Sequence, residues 1–129
     1  WRGMIQGEHT MNITIKAQHF ELSDPIKNFV HGKMESALSR FGDDVLSVDV
    51  FCTDVNGPKG GPDKRVVMRI QLRRRHQVTV ESLHHDLYIA ISTCSGKARR
   101  VVRRRIRKLR KVQKLSLRDL DPKLSQQGV

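Results

Sequence analysis

From Asn12 onward the chain alternates: Ile13, Ile15 and Ala17 stand against Asn12, Thr14 and Lys16, the period of two expected of a strand with one buried face. The period then lengthens. Ile26, Phe29, Val30, Met34, Ala37, Leu38 and Phe41 recur at helical spacing behind Ser23 or Asp24 as N-cap and Pro25 in the first turn, and Gly42 supplies a stop. Alternation returns in "VLSVDVFCTDV", with Leu46, Val48, Val50 and Cys52 on one face and Ser47, Asp49, Phe51 and Thr53 on the other. After the loop "NGPKGGPD" it continues in "KRVVMRIQLRR", with Val66, Met68, Ile70 and Leu72 inward, and in "HQVTVES" with Val78 and Val80. These three strands read as an antiparallel meander whose first hairpin is loose.

A second helix is expected from near Asp86 to about Val112. At 100° per residue, Leu87, Ile91, Cys94, Ala98, Val101, Val102, Leu109 and Val112 fall within one arc of about 100°, with Arg100, Arg103, Arg104, Arg107, Arg110 and Lys111 opposite. Arg105 lies in the middle of the apolar arc. At ~1.5 Å per residue the helix reaches ~40 Å, against ~26 Å for an eight-residue strand, so its basic half is expected to overhang the sheet and leave Arg105 in solvent or on a partner.

The order is β-α-β-β-β-α, an α+β fold. A right-handed crossover through the first helix makes the first two strands parallel and the rest antiparallel, in a four-stranded sheet with both helices on one face. The other face is expected to be solvated and to carry Lys16, Arg65, Arg69 and Arg73. Residues 1–10 show no period and read as a leader or an artificial remnant, residues 11–112 as the folded domain, and residues 113–129 as a flexible C-terminal tail.

Charge sharpens this picture. The chain has 129 residues, enough for one domain, and a formal net charge of +12. Residues 97–111 alone, "KARRVVRRRIRKLRK", hold ten lysines and arginines, leaving +2 on the other 114 residues, and no acid occurs from Leu87 to Arg118. A solvated helix face would interleave glutamates, because like charges three or four residues apart repel. Lys97, Arg100, Arg104, Lys108 and Lys111 form one continuous stripe; Arg103, Arg107, Arg110 and Lys114 form a second beside it. Two rows of this kind suit a polyanion, and arginine's planar fork favours phosphate. Aromatic residues make up 5% of the chain, and Phe20, Phe29, Phe41 and Tyr88 occupy core-like positions, so recognition through backbone and shape is expected rather than base stacking. Phe51, on the polar face of its strand, is the exception.

Other chemistry is sparse. Cys52 and Cys94 sit in apolar patterns and read as reduced core residues. His84 and His85 are adjacent at a strand-to-helix turn, where they are expected not to share a face, and no further ligand cluster accompanies them. There is no phosphate loop, nucleophile elbow or convincing pair of acids, so neither an enzyme nor a cofactor or metal is expected. The loop from Asn56 to Asp63, with Lys59 inside it and Lys64 beside it, reads first as a tolerated insertion and second as an RNA contact. No apolar run approaches the ~20 residues of a membrane span, and a cytoplasmic location is expected.

Three stretches resemble the ribosome hibernation promoting factors, including the ribosome-associated inhibitor or protein Y group. "NITIKAQHFELSDPIKNFV" is similar to that family's opening strand, turn and first helix, and "VTVESLHHDLYIAI" to its last strand and the start of its second helix. Within the latter, Asp86, Tyr88, Ala90 and Ile91 match its Asp-x-Tyr-x-Ala-Ile pattern. The resemblance spans about Met11 to Val112 and corresponds to the short form. It implies a bacterial, non-enzymatic protein that binds the small ribosomal subunit and its rRNA in the messenger and transfer RNA channel, silencing translation in starvation or stationary phase. A monomer when free, with no membrane or small-molecule partner, is expected. The family's basic positions carry over to Lys33, Lys97, Arg100, Arg104 and Lys108. Ser92 departs from an aspartate, and Arg99, Arg103, Arg107 and Arg110 make this helix more cationic than most. The alternative is a general RNA-binding protein or a constitutive ribosome component.

Overall fold

In a computed structural model that describes residues 11–55 and 63–120, one four-stranded sheet carries two helices on a single face. The elements are β1 (Asn12–Gln18), α1 (Asp24–Leu38), a 3-10 segment (Ser39–Asp44), β2 (Val45–Asp54), β3 (Lys64–Leu72), β4 (Gln77–His84) and α2 (Leu87–Leu120). Spatial order follows chain order, β1-β2-β3-β4, with β1 parallel to β2 and the other pairs antiparallel. This is the expected topology. β4 thus runs parallel to β1, and both helices return against them, side by side and in the same direction.

The alternation decides which face meets the helices. Ile13, Val48, Ile70 and Val78 form one row across the sheet and Ile15, Val50, Met68 and Val80 the next. Against these rows pack Val30, Met34, Ala37 and Leu38 of α1 and Leu87, Ala90, Ile91, Cys94, Ala98, Val102 and Ile106 of α2, in one cluster. Cys52 and Cys94 are free and buried, and burial pushes both thiols up to about 11. Two buried hydroxyls find acceptors on α2: Ser82 donates to the Ala90 carbonyl at 2.5 Å and Ser95 to that of Ile91 at 2.8 Å.

Helix ends follow their chemistry. Ser23 Oγ accepts from the Ile26 N–H at 3.3 Å and Pro25 sits in the first turn of α1. Gly42 stands at φ 54°, a conformation that glycine adopts without a Cβ clash, and turns the 3-10 segment into β2. Asp86 caps α2 by accepting from the N–H groups of Tyr88 at 2.9 Å and Ile89 at 3.4 Å.

Five expectations are corrected. Leu46 is not inward: the register slips between Val45 and Ser47, and this bulge leaves Leu46 48% exposed while Val45 is buried. The third strand stops at Leu72, so Arg73 is not a strand residue; Arg74 and Arg75, at φ 62° and 64°, turn the chain into β4. Left-handed backbone costs an L-residue roughly 1–2 kcal/mol. Tyr88 is exposed on the first turn of α2, its ring in a T-shaped pair with Phe29. His84 and His85 do share a face, their rings stacked at 4.3 Å, while His84 Nδ1 accepts from the Asp86 N–H at 2.9 Å. Finally, α2 runs past Val112 to Leu120, because "QKLSLRDL" holds no proline or glycine to break a helix. Residues 1–10 and 121–129 lie outside the described residues.

Packing reaches further along α2 than the comparison of helix and strand lengths implies, though not to Val112, which is 59% exposed. Ile106 is buried and Leu109 half-buried, so contact with the body continues past Arg105, which is itself half-buried. The buried positions Ile91, Ser95, Ala98, Val102 and Ile106 step mostly by four, and a row of four-residue steps drifts around a helix of 3.6 residues per turn. The seam therefore crosses α2 obliquely and leaves Arg105 at its margin.

Candidate nucleic-acid interface

On α2 the oblique seam leaves a broad outer surface. Arg99, Arg100, Arg104, Arg107, Lys108, Arg110, Lys111 and Lys114 are exposed there and Arg103 is half-buried. Most members of the two expected rows thus stand on the outer surface of a single helix, with Lys97 and Arg103 half-buried. From Lys97 to Lys111 the stripe covers ~21 Å at 1.5 Å per residue, about the length of six nucleotides at ~3.4 Å per strand phosphate. Among the described residues, no carboxylate lies within ion-pair distance of Arg99, Arg100, Arg103, Arg104, Arg107, Lys108 or Lys111.

Not every expected site residue is equally free. Lys97 reaches over the β4 edge and donates to the Glu81 carbonyl at 2.9 Å, covering an otherwise open strand edge. Arg110 pairs with Asp44 at 2.7 Å. Lys33 is elsewhere: its ammonium lies 5.5 Å from the Phe29 ring centre, and that ring meets Tyr88 edge-on at 4.9 Å. This places Lys33 beside the first turn of α2, ~30 Å along the helix from Lys108. Lys33 and the arginine-rich half of α2 therefore mark opposite ends of one elongated surface.

Lys64, next to the loop flagged as a second RNA contact, is committed to Asp54 at 2.8 Å and Asp63 at 3.0 Å, hydrogen bonds that raise its pKa. Lys59 lies outside the described residues. On the open face of the sheet, Lys16 and Arg69 flank the Phe51 ring at 5.9 and 5.8 Å, so this half-buried aromatic is shared by two cations. Among the described residues no group of histidines, cysteines and acids could hold a metal ion, and no helix is long and apolar enough to cross a membrane.

A cationic group that the sequence reading underrated is the β3–β4 turn. Arg73, Arg74 and Arg75 are all exposed, and the turn stands at the same end of the molecule as Arg107–Lys111. The available signal was "RRRH" between two alternating runs, a turn without the glycine or asparagine that turns favour.

The sequence profile of the family described as sigma 54 modulation protein / S30EA ribosomal protein matches residues 13–110. None of the curated proteins compared with the chain by sequence matches it. Among solved structures, the crystal structure of the Thermus thermophilus Protein Y N-terminal domain is 28% identical, with a TM-score of 0.62 over 73% of this chain and 98% of that one. A ribosomal subunit interface protein from Coxiella burnetii is 12% identical, with a TM-score of 0.61 over 73% of this chain and 96% of that one, a likeness of fold alone.

Proposed function

This chain belongs to the sigma 54 modulation protein / S30EA ribosomal protein family, and on that premise we propose that it is a hibernation factor: it binds the small ribosomal subunit, occupies the messenger and transfer RNA channel, and so silences translation in starvation or stationary phase. The observation that carries this reading is the double row of cations on α2, mostly exposed and, among the described residues, without acidic partners apart from Asp44. Such a surface neutralises phosphates along a folded RNA backbone and reads shape rather than sequence. Lys33 and Lys97 contact rRNA near the start of α2, and Arg99, Arg100, Arg103, Arg104, Arg107, Lys108, Arg110 and Lys111 do so along its length. The protein acts by occupancy and not by chemistry, in the cytoplasm, as a free monomer that docks on the ribosome.

Occupancy makes ligands mutually exclusive. Small subunits preloaded with messenger and initiator transfer RNA resist inhibition, whereas empty subunits do not; equal inhibition of both would refute the channel. Replacing Arg100, Arg104 and Lys108 together by glutamate abolishes subunit binding with cooperative unfolding retained. The extra cations Arg99, Arg103, Arg107 and Arg110 favour one alternative, a constitutive RNA-binding component of the ribosome. Sucrose-gradient profiles separate the two: a hibernation factor joins ribosomes after starvation, and a constitutive component is present in stoichiometric amount throughout growth.

A further inference from the structure

Arg74 and Arg75 occupy consecutive positions in left-handed backbone, at φ 62° and 64°, in a turn where the His76 N–H donates to the Arg73 carbonyl at 3.4 Å. Two residues at positive φ are what tight hairpin turns require and what Asn-Gly supplies without strain. Arg73 is tied to Asp43, through its carbonyl at 3.0 Å and its carboxylate at 3.7 Å, but Arg74 and Arg75, the two strained residues, have no ion pair among the described residues. All three side chains are exposed, none belongs to the core, and three adjacent cations repel one another. Strained backbone that packing does not explain is a feature of binding sites.

The surroundings say what would bind. Parallel helices and the β3–β4 connection bring the turn to the end of the molecule where the cationic half of α2 lies. A cleft of about 120 Å³ separates them, lined by Arg73, Arg74, Arg110, Asp44, Ile106 and Gln113. Two of its arginines are held in place: Arg73 Nε donates to the Asp43 carbonyl at 3.0 Å, and Arg110 pairs with Asp44. Arg74 and Arg75 have no carboxylate within ion-pair distance among the described residues. Guanidinium groups presented by two rigid elements across a cleft match the oxygens of a phosphodiester, each able to take two. We propose that the Arg73–Arg75 turn is a second RNA-backbone clamp, which continues the phosphate track of α2 across Arg110 and grips the strand from the side of the sheet. The proposal rests on the reading of α2 as an rRNA-binding helix and adds a contact off that helix.

Strain gives a test with two independent readouts. Arg74→Asn with Arg75→Gly relieves the backbone and removes two cations. Thermal unfolding of the full chain and binding to purified small ribosomal subunits at several salt concentrations are then compared with wild type and with Arg103→Gln/Arg107→Gln on α2. The clamp requires that the turn variant melt higher than wild type, bind subunits about tenfold or more weakly, and lose ~2 from its log–log salt slope at ~0.9 per phosphate. Arg74→Lys/Arg75→Lys, which keeps the charge, restores the slope. Subunit affinity and slope unchanged in a turn variant that melts higher would overturn the clamp, as would a lysine pair as shallow in slope as Asn-Gly. In either case a weakened α2 variant leaves the reading of the helix standing. Unchanged binding by both the turn and the α2 variants would remove that reading itself.

Discussion

The guanidinium of Arg110 meets the Asp44 carboxylate at 2.7 Å, across 66 residues of sequence, and ties the outer half of α2 to the 3-10 segment behind α1. Arg110 is 72% exposed, so the pair is solvated and contributes ~0–1 kcal/mol. Its use is positional: it fixes where one cation of the stripe stands.

Arg110→Ala is therefore expected to change unfolding free energy by less than ~1 kcal/mol while weakening subunit binding. Urea denaturation and subunit co-sedimentation measure the two. A destabilisation above ~2 kcal/mol would show instead that this contact anchors the helix end.

Subunit binding is expected to weaken steeply with salt. With ~6 phosphates neutralised, the log–log slope is roughly −4 to −6, read from titrations between low and physiological salt. A slope near zero would mean that the cations of α2 stay in solvent on the complex.

Ile106 and Arg105 are neighbours with opposite expected behaviour. Ile106→Ala removes a buried side chain and is expected to cost roughly 2–4 kcal/mol, and Val102→Ala about 1–3 kcal/mol. Arg105→Leu, at the margin of the seam, is expected to stay within ~1 kcal/mol of wild type. Chemical denaturation of the three variants decides; an Arg105 variant that shifts more than the other two would place that side chain inside the seam.

High pH is expected to destabilise the fold. Cys52 and Cys94 are held up at about 11 by burial, so the folded chain keeps two protons that the unfolded chain releases from about 9.0. The unfolded state then binds fewer protons, and stability falls as pH rises from about 9 to about 11. Lys64, raised by its bonds to Asp54 and Asp63, acts with the same sign. Urea midpoints across this range measure the fall, and slow reaction of both thiols with a disulfide reagent under native conditions checks its cause.

Wherever one periodic signal dominated, the sequence was legible. Alternation placed all four strands, and the capped run from Ser23 placed α1. Strand order and the side taken by the helices followed from the handedness of one crossover. Errors arose where a residue's surroundings are made by other parts of the chain. Leu46 fits the alternation and is turned out only by a slip of β2 against β3. Ile106 lies outside a fixed 100° arc yet is buried, because the seam drifts along the helix. The cations of α2 were legible as charge, but their partners were not: Asp44 and the Glu81 carbonyl reach Arg110 and Lys97 only through the fold. For the arginine turn, a local rule was broken in plain sight, and its reason lies in what the turn faces.

The common direction of the two helices has an electrical result. At one pole stand Asp24 and Asp86, at the starts of α1 and α2, with Asp54 and Asp63 paired to Lys64 beside the β2–β3 connection; at the other, Arg73–Arg75 and the cations from Arg107 to Lys114 outnumber Asp43 and Asp44. A polyanion's field therefore exerts a torque on the molecule before any contact is made, bringing the arginine pole forward. The same +12 spread evenly would attract without turning. Polarity thus shortens the orientational search that limits most macromolecular encounters, and this gain fades once the Debye length, ~8 Å at physiological ionic strength, is small beside the ~50 Å of a 34-residue helix.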